Sequence, residues 1–364
     1  MMKTQIVKIT GKTDITTLYS PAFSEHCLTV NGSNSAEMDS LIRASASSLK
    51  ADVMGRFVFA GTEHYKKFIE SVKAPDGNIS WLQGDACKDG KITSMQAFAV
   101  NGGDLKILNV KSRKTGFLYE DADARYCRLC GMMPQNPGAP KPEQAAELFE
   151  SISDALNACG FKFTDTVRTW FYIDKVLTWY KEFNAVRTAF FEKMDIFSRM
   201  VPASTGIGAS NQNGAALLCD LLAVQPKTDK ARIYSVPSPM QGSALNYKSS
   251  FSRAVEMSFP AYSRLFISGT ASIDSDGNTA YLGDCARQID LTMRVVEAIL
   301  HSRKMDWHDL VRGIAYFKDF NDKHLFDEYC EKHEIPRFPL ALAHADICRG
   351  DLLFELEADA VKVF

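Results

Sequence analysis

The sequence predicts an α+β protein in which one structural unit occurs twice, each copy a mixed β-sheet with two helices on one face. Two features recur at a constant spacing of 144 residues: a helix-like stretch and, after it, a β-rich run that begins with aspartate. The helix-like stretches are 144–160 and 288–304, and the β-rich runs are 165–172 and 309–316. A second helix follows each run, at 179–193 and at 323–332.

The repeat divides the chain into three parts. We expect the first copy at 92–226, the second at 230–364, and 1–91 as an N-terminal extension that packs on the first copy. The runs 214–219 and 350–355 align, which predicts a closing β-hairpin in each copy and places Cys219 at the position of Glu355.

The composition excludes several classes of function. The chain has 364 residues, of which 46% are hydrophobic and 24% charged, and this is ample for a sizeable core. A net charge of −2 gives no field that favours nucleic acid or an anionic membrane as a partner. No apolar run approaches the roughly 20 residues of a membrane span. No signal peptide is evident, and the nine scattered cysteines indicate reduced thiols, so we expect a cytoplasmic protein.

No motif indicates a bound metal or cofactor, and we expect none. The histidines lack metal-ligand spacing, and there is no phosphate-binding loop, dinucleotide fingerprint or nucleophile elbow. The pair Cys127 and Cys130 lies in a strand-like segment and is interpreted as structural. His344, alone in an apolar strand, is also interpreted as structural.

The run 352–357 reads as a strand that contains a carboxylate between two apolar residues. Side chains alternate along a strand, which places Leu352, Phe354 and Leu356 on one face and Leu353, Glu355 and Glu357 on the other. Burial of Glu355 is costly unless the carboxyl group is paired or protonated. Proton transfer is one explanation. From the residues alone, a surface carboxylate or one paired with arginine across an interface is equally good, although its presence in one copy favours function.

The second copy resembles the RidA (YjgF/UK114) family, through the strand 265–269 that ends in glycine and the closing run 355–357. The resemblance implies RidA-like (chorismate-mutase-like) units that assemble as trimers with small-molecule sites between neighbours. Typical members hydrolyse enamines and imines, and hold the substrate carboxylate with an arginine in a P-x-R-S context. The corresponding stretches here, 339–344 and 202–206, lack that arginine.

Tandem RidA-like chains of this length are similar to the chorismatases, the chorismate hydrolases and hydroxybenzoate synthases. The matching pieces are Trp179-Tyr180-x-x-Phe183-Asn184-x-x-Arg187, 202–208, 250–254 and Cys348-Arg349-x-Asp351-Leu352-Leu353-x-Glu355, with 81–85 upstream. The resemblance spans about residues 56 to 364. It implies that Glu355 is the catalytic acid.

Chorismate carries two carboxylates and an enolpyruvyl ether, and pyruvate loss can begin with protonation of the ether's methylene carbon. A free glutamate titrates near ~4.3, so the acid must be shifted upward by burial or by a charge such as that of Glu357. Arginine forks suit the substrate carboxylates. The resemblance implies Arg187, Arg253 and Arg168 as substrate-binding residues. It implies Cys348, and more weakly Ala261, as residues that shape the pocket.

Three functions stay open at this level. The first is a chorismatase-like enzyme, whose product is a dihydrodiol, 3-hydroxybenzoate or 4-hydroxybenzoate. The second is a divergent imine or enamine deaminase, against which the missing arginine argues. The third is a non-catalytic RidA-like protein that binds an aromatic or keto acid. The partner in each case is a small anionic molecule, and the chain is expected to be a monomeric pseudo-trimer or a homo-oligomer.

Overall fold

Three segments of the chain adopt the same arrangement of six strands and two helices. In the computed structural model the described residues are 5–9, 11–20, 22–72, 78–102, 104–110, 113–247 and 249–364; the start of the expected N-terminal extension, 1–4, lies outside them. Each segment, called here a unit, orders its strands as first, second, third, sixth, fourth and fifth, and its fourth and fifth strands are parallel.

The bounds of the elements follow the same order in each unit. The N-terminal unit contains β1 (Gln5–Ile9), β2 (Asp14–Tyr19), β3 (Phe23–Asn31), α1 (Ser35–Ser48), β4 (Asp52–Phe59), α2 (Tyr65–Val72), β5 (Asn78–Gly84) and β6 (Ser94–Gly102). The middle unit contains β7 (Lys106–Val110), β8 (Arg113–Glu120), β9 (Ala124–Met132), α3 (Lys141–Ala158), β10 (Thr166–Ile173), α4 (Val176–Lys193), β11 (Ala203–Ser210) and β12 (Leu217–Pro226). The C-terminal unit contains β13 (Arg232–Val236), β14 (Ala254–Ser258), β15 (Tyr262–Ala271), α5 (Cys285–Ser302), β16 (Leu310–Phe317), α6 (Lys323–Lys332), β17 (Leu340–His344) and β18 (Phe354–Val363).

The predicted α+β class is confirmed, and the strands and helices of the repeat occur where the sequence placed them. The strands β10 and β16 begin 144 residues apart, as do the helices α3 and α5. In each unit the helices pack on one face of the sheet and form a core with it. The opposite faces of the three sheets meet in a shared central core, which includes Phe57, Trp170 and Ile314.

Strand pairing divides the chain differently from the boundary expected at residue 92. Strand β6 pairs with β3 and β4, so residues 94–102 belong to the N-terminal sheet rather than to the first copy. The segment expected as an extension therefore has the topology of a third unit. Its helix and following strand are separated by a shorter connection, without the 3₁₀ turn that precedes β10 and β16, and this removes the constant offset that revealed the other two.

The expected closing β-hairpin is wrong, because the last two strands of each unit are not neighbours. In the C-terminal unit β16 lies between β17 and β18 and is parallel to the former. The connection 345–353 passes over the end of β16, where Lys318 N–H donates to the Leu353 carbonyl at 3.0 Å. Leu352 and Leu353 belong to this connection, so the predicted alternation of faces holds only from Phe354 onward.

Candidate active site

Glu355 lies at the beginning of β18, on the face of the sheet that points away from the helices. Its strand neighbours are Tyr316 on β16 and Ala271 on β15. The adjacent Phe354 and Leu356 point into the helix-side core, as the period of a strand requires. Glu355 leans over Gly269, where a Cβ atom would stand 2.0 Å from a carboxyl oxygen of Glu355. A side chain at position 269 would therefore displace the carboxyl group.

A cavity in front of Glu355 lies between the middle and C-terminal units. Including its opening it holds about 520 Å³ of unfilled space. The middle unit supplies Tyr180, Arg187, Ser204 and Gly206, and the C-terminal unit supplies Tyr247, Ser249, Phe251, Arg253, Gly269, Ala271, Ile273, Cys348, Arg349 and Glu355. Two hydrogen bonds hold the units together beside it: Gly269 N–H donates to Thr205 Oγ1 at 3.1 Å, and Ser204 N–H to Ser268 Oγ at 2.9 Å.

The carboxyl group of Glu355 is protonated at neutral pH. Burial, followed by the charge of Glu357, raises the pKa of Glu355 from an ordinary 4.5 to about 8, against the opposing charges of Arg168 and Arg253. Only 4% of the residue is exposed. Within the described part of the chain no hydrogen-bonding group or ion-pair partner engages its side chain. A buried, neutral and unengaged carboxylic acid is suited to donate a proton to a ligand.

Glu357, two residues further along the same face, is in the opposite state. Arg168 Nη2 and Trp170 Nε1 donate to its carboxylate at 3.0 and 2.8 Å, and Arg312 donates to it as well. Burial acts to raise the pKa of Glu357, but the charges of Arg312 and Arg168 outweigh it and leave the pKa lowered. Glu357 is therefore a fixed negative charge that contributes to the raised pKa of Glu355.

Arg187 and Arg253, both predicted to bind substrate, line the cavity. Arg187 is 1% exposed and donates from Nη2 to Asn184 Oδ1 at 2.5 Å, while its Nε atom has no partner among the described residues. Arg253 donates from Nε and Nη2 to the Gly242 carbonyl at 3.0 and 2.9 Å. Burial lowers the pKa of both guanidinium groups from the ordinary range of arginine, and both remain cationic at neutral pH.

The cavity therefore carries positive charge without a protein counterion. Over the described residues no carboxylate lies within ion-pair distance of Arg187, Arg253 or Arg349, and Glu355 is neutral. Aromatic rings partly compensate: the Phe251 ring lies 5.9 Å from the Arg187 guanidinium carbon and 5.6 Å from that of Arg253. Buried cations are costly without a partner. The arrangement consequently favours an anionic ligand.

Cys348 also lines the cavity, as predicted, beside Glu355 and Tyr180. Burial, followed by the charge of Glu355, raises the pKa of the Cys348 thiol to about 12, so the thiol is neutral and serves as a small wall residue. The ring of Tyr180 covers Gly206, where a Cβ atom would stand 3.5 Å from the tyrosine hydroxyl. Bulk at either position reduces the space available to a ligand.

Several known proteins resemble this chain in sequence and in fold. A chorismatase of Streptomyces rapamycinicus is 27% identical over 237 residues, which is 58% of this chain and 68% of that protein. A 3-hydroxybenzoate synthase of Streptomyces hygroscopicus is 24% identical over 264 residues, 65% of this chain and 74% of that protein. A crystal structure of chorismatase superposes on 94% of this chain and all of its own, with a TM-score of 0.65 and 18% identity. The chain belongs to the chorismatase family.

Other comparisons add less. No protein-family model matches the chain. A putative endoribonuclease L-PSP from Entamoeba histolytica matches 36% of it, with a TM-score of 0.31 and 20% identity. None of the described helices is both long and apolar enough to cross a membrane.

Two residues predicted from the resemblance to the chorismatases lie outside the cavity. Arg168 is fully buried and is bound to Glu357 and Thr205, because the central core holds a carboxylate that needs its charge. Ala261 precedes β15 at Tyr262, whereas Glu355 pairs with Ala271 at the opposite end of that strand. Nine residues of strand separate the two ends by roughly 30 Å, so Ala261 does not contact this cavity.

The equivalence expected between Cys219 and Glu355 is wrong by one residue. Glu355 pairs with Tyr316 on β16, and the residue that pairs in the same way with Tyr172 on β10 is Leu218. A slip of one residue moves a side chain to the other face of a strand, and Cys219 accordingly lies in the helix-side core of its unit. The N-terminal unit has Ser94 at this position, opposite Phe59. Glutamate is therefore present in one of three equivalent places.

Sequence reasoning missed several residues of the cavity. Tyr180 was assigned to an aromatic core cluster, and Arg349 to an exposed turn. Arg349 is only partly exposed, donates from Nη1 to the Gly277 carbonyl at 2.8 Å, and lies 5.3 Å from the Tyr247 ring centre. Tyr247 and Ser249 gave no sequence signal, since they come from an irregular segment whose position is set by contacts between units. The Cys-Arg sequence at 348–349 was the signal that could have revealed Arg349.

Proposed function

We propose that this protein cleaves the enolpyruvyl ether of chorismate, or of a closely related dicarboxylate, and releases pyruvate. The observation that carries the proposal is the pairing of one neutral buried acid, Glu355, with uncompensated arginines in a single cavity. The names of the relatives, chorismatase and 3-hydroxybenzoate synthase, support the choice of substrate.

Glu355 donates its proton to the methylene carbon of the enol ether, which creates an oxocarbenium ion. The acid is largely protonated at pH 7 because its pKa is about 8. The carboxylate left behind is stabilised by the charges of Arg168 and Arg253, which already oppose the rise in its pKa. Proton transfer thus exchanges a neutral acid beside an anionic ligand for a carboxylate that faces a cation.

Water or the ring hydroxyl then attacks the cationic carbon. Attack by water gives a hemiketal, whose collapse breaks the bond to the ring oxygen and releases pyruvate with a ring alcohol. The proton lost by the attacking oxygen restores the acid form of Glu355, so protons balance over the cycle. Attack by the ring hydroxyl is the route toward a hydroxybenzoate, and the shape of the wall near Cys348 decides between them.

Arg187 and Arg253 bind the two carboxylates from opposite units. Each has guanidinium hydrogens not used by protein carboxylates, and the planar fork gives paired hydrogen bonds to a carboxylate. Because one arginine comes from the middle unit and the other from the C-terminal unit, a bound dianion also bridges the two units.

The test is release of pyruvate from chorismate by the wild-type protein and by Glu355→Gln. We expect turnover by the wild type and a fall of about 10²- to 10⁴-fold in the variant, since glutamine cannot donate the proton. Glu328→Gln, at an exposed carboxylate on α6, is the matched control and should turn over normally.

Each alternative function has its own result in the same assays. Ammonia release from an imino acid without pyruvate release would identify a deaminase. Thermal stabilisation by chorismate with no product at all would identify a binding protein. Equal turnover by the wild type and Glu355→Gln would remove Glu355 from the chemistry.

A further inference from the structure

A second group of chemically reactive side chains lies where the N-terminal unit meets the C-terminal unit. At this junction the end of β5 packs directly on the end of β17: a Cβ atom on Gly84 would stand 1.8 Å from the His344 carbonyl oxygen. The turn after β5 carries Cys87 and Asp89, and β17 ends at His344. The close backbone approach brings the turn against the histidine.

Ligand atoms of Cys87, Asp89 and His344 lie within 4.8 Å of one another. The Cys87 side chain is buried, Asp89 is exposed, and His344 is partly buried. Cys87 Sγ is 3.5 Å from Asp89 Oδ1, which also accepts from Lys91 N–H at 3.2 Å. The trio therefore has a buried side and an opening to solvent through Asp89.

The hydrogen bond on the far side of the imidazole determines which nitrogen faces the trio with a lone pair. His344 Nε2 lies 3.1 Å from the Lys318 carbonyl, which only accepts, so Nε2 carries the proton. In the neutral ring Nδ1 then holds a lone pair, and this atom is buried without a donor from any described residue. A histidine whose outer nitrogen donates to a backbone carbonyl is the usual arrangement of a metal ligand.

We propose that Cys87, Asp89 and His344 bind a divalent transition-metal ion of the zinc class. Thiolate and imidazole select zinc and similar borderline ions over magnesium and calcium, and a carboxylate completes three protein ligands. Around tetrahedral zinc such atoms are about 3.3–3.8 Å apart, so the trio needs to contract by roughly 1 Å. The exposed Asp89 side chain allows this, and the Cys87 thiol proton leaves to solvent as the ion binds.

The ion would join two units of the fold at a place connected to the cavity. His344 is four residues before Cys348 and five before Arg349, both of which line the cavity of Glu355. The site is distinct from that cavity, since none of its three ligands lines it. Its role is to hold the turn after β5 against β17 and so to support the wall of the cavity.

The experiment is titration of the chelator-treated full chain with Co²⁺, followed by equilibrium dialysis with Zn²⁺. We expect one ion per chain and a near-ultraviolet band from thiolate-to-cobalt charge transfer. Cys87→Ser should abolish the band, and His344→Gln and Asp89→Asn should each weaken affinity by at least about tenfold. Cys330→Ser, at a partly buried thiol on α6 outside the trio, is the matched control and should keep both band and affinity.

The result that would overturn the proposal is absence of the band and of stoichiometric Zn²⁺ in the wild type, or a band that survives Cys87→Ser. Thermal unfolding gives an independent readout, because a ligand that binds only the folded state raises the melting temperature. Zn²⁺ should raise it for the wild type and for Cys330→Ser but not for His344→Gln. None of these measurements depends on pyruvate release.

Discussion

The closing strands of the middle and C-terminal units occupy the same place in the fold but carry different side chains at two positions. Where β18 has Glu355, β12 has Leu218, and where β18 has Glu357, β12 has Asp220. The second pair is similar: both carboxylates are buried and accept hydrogen bonds, Asp220 from Ser80 Oγ at 2.7 Å and from Gly131 N–H at 2.9 Å. The first pair is not, since leucine packs in the central core and glutamate faces a cavity.

The difference separates a structural carboxylate from a chemical one. A carboxylate at the inner position meets a neighbouring unit in both cases and is satisfied there by donors. A carboxylate at the outer position occurs only where the facing unit supplies Arg187 and leaves space for a ligand. A buried acid without partners is costly to the fold. Its presence in the C-terminal unit alone is therefore explained by function.

The largest effect on stability is expected at the inner position. Glu357→Gln leaves Arg168 without its only carboxylate partner among the described residues and places amide hydrogens against existing donors, so we expect a loss of about 3–5 kcal/mol of unfolding free energy. Urea denaturation measures it. Glu355→Gln, on the same strand face, should lose less than about 1 kcal/mol at neutral pH, because the acid it replaces is neutral there. Equal losses would contradict the distinction between the two glutamates.

The next effect tests the arginines. Arg253→Lys and Arg187→Lys keep the charge but remove the planar fork, so we expect kcat/KM for chorismate to fall about 10- to 100-fold, as a loss of 1.5–3 kcal/mol implies. Steady-state kinetics measure it. Arg168→Lys is the comparison, since Arg168 binds Glu357 and not the cavity, and it should reduce stability more than it changes KM. The assignment fails if Arg168→Lys alone raises KM.

The pH dependence follows from the raised pKa of Glu355. Because only the protonated acid can donate, kcat/KM should decline as the pH rises above about 8. The stability gives a control with a defined sign: a proton is bound in the folded state and not in the unfolded state between 4.5 and about 8. Over that window the wild type should lose about 1.4 kcal/mol per pH unit relative to Glu355→Gln, with no further change above it. A flat difference would mean that the pKa of Glu355 is ordinary.

The smallest effect is expected at Ala261. Since this residue lies at the far end of β15 from Glu355, Ala261→Ser should leave kcat/KM and the products within about twofold of the wild type. Chromatography of the products checks this. Cys348→Ser, at a residue that lines the cavity, is the paired variant and should alter the ratio of products. A change in products with Ala261→Ser would show that the cavity reaches further than its lining residues indicate.

Much of the fold was predictable because it is written in local patterns. Helical spacing revealed α3 and α5, alternation revealed β18 from Phe354 onward, and a constant offset revealed two units. The third unit escaped because a shorter connection after α1 breaks the offset. The slip between Leu218 and Cys219 escaped for a related reason: an alignment without structure fixes register only to within a residue, and one residue reverses the face.

The sequence by itself determined the class of fold, the existence of the repeat and the anomaly of Glu355, because periodicity and neighbouring residue types encode them. Only the tertiary structure decided which arginine serves which carboxylate. Arg168 and Glu357 are 189 residues apart and meet because two units dock face to face. The same docking places Arg187 before Glu355 and removes Ala261 from the site. Contacts between units depend on the packing of whole sheets, and no local pattern carries that information.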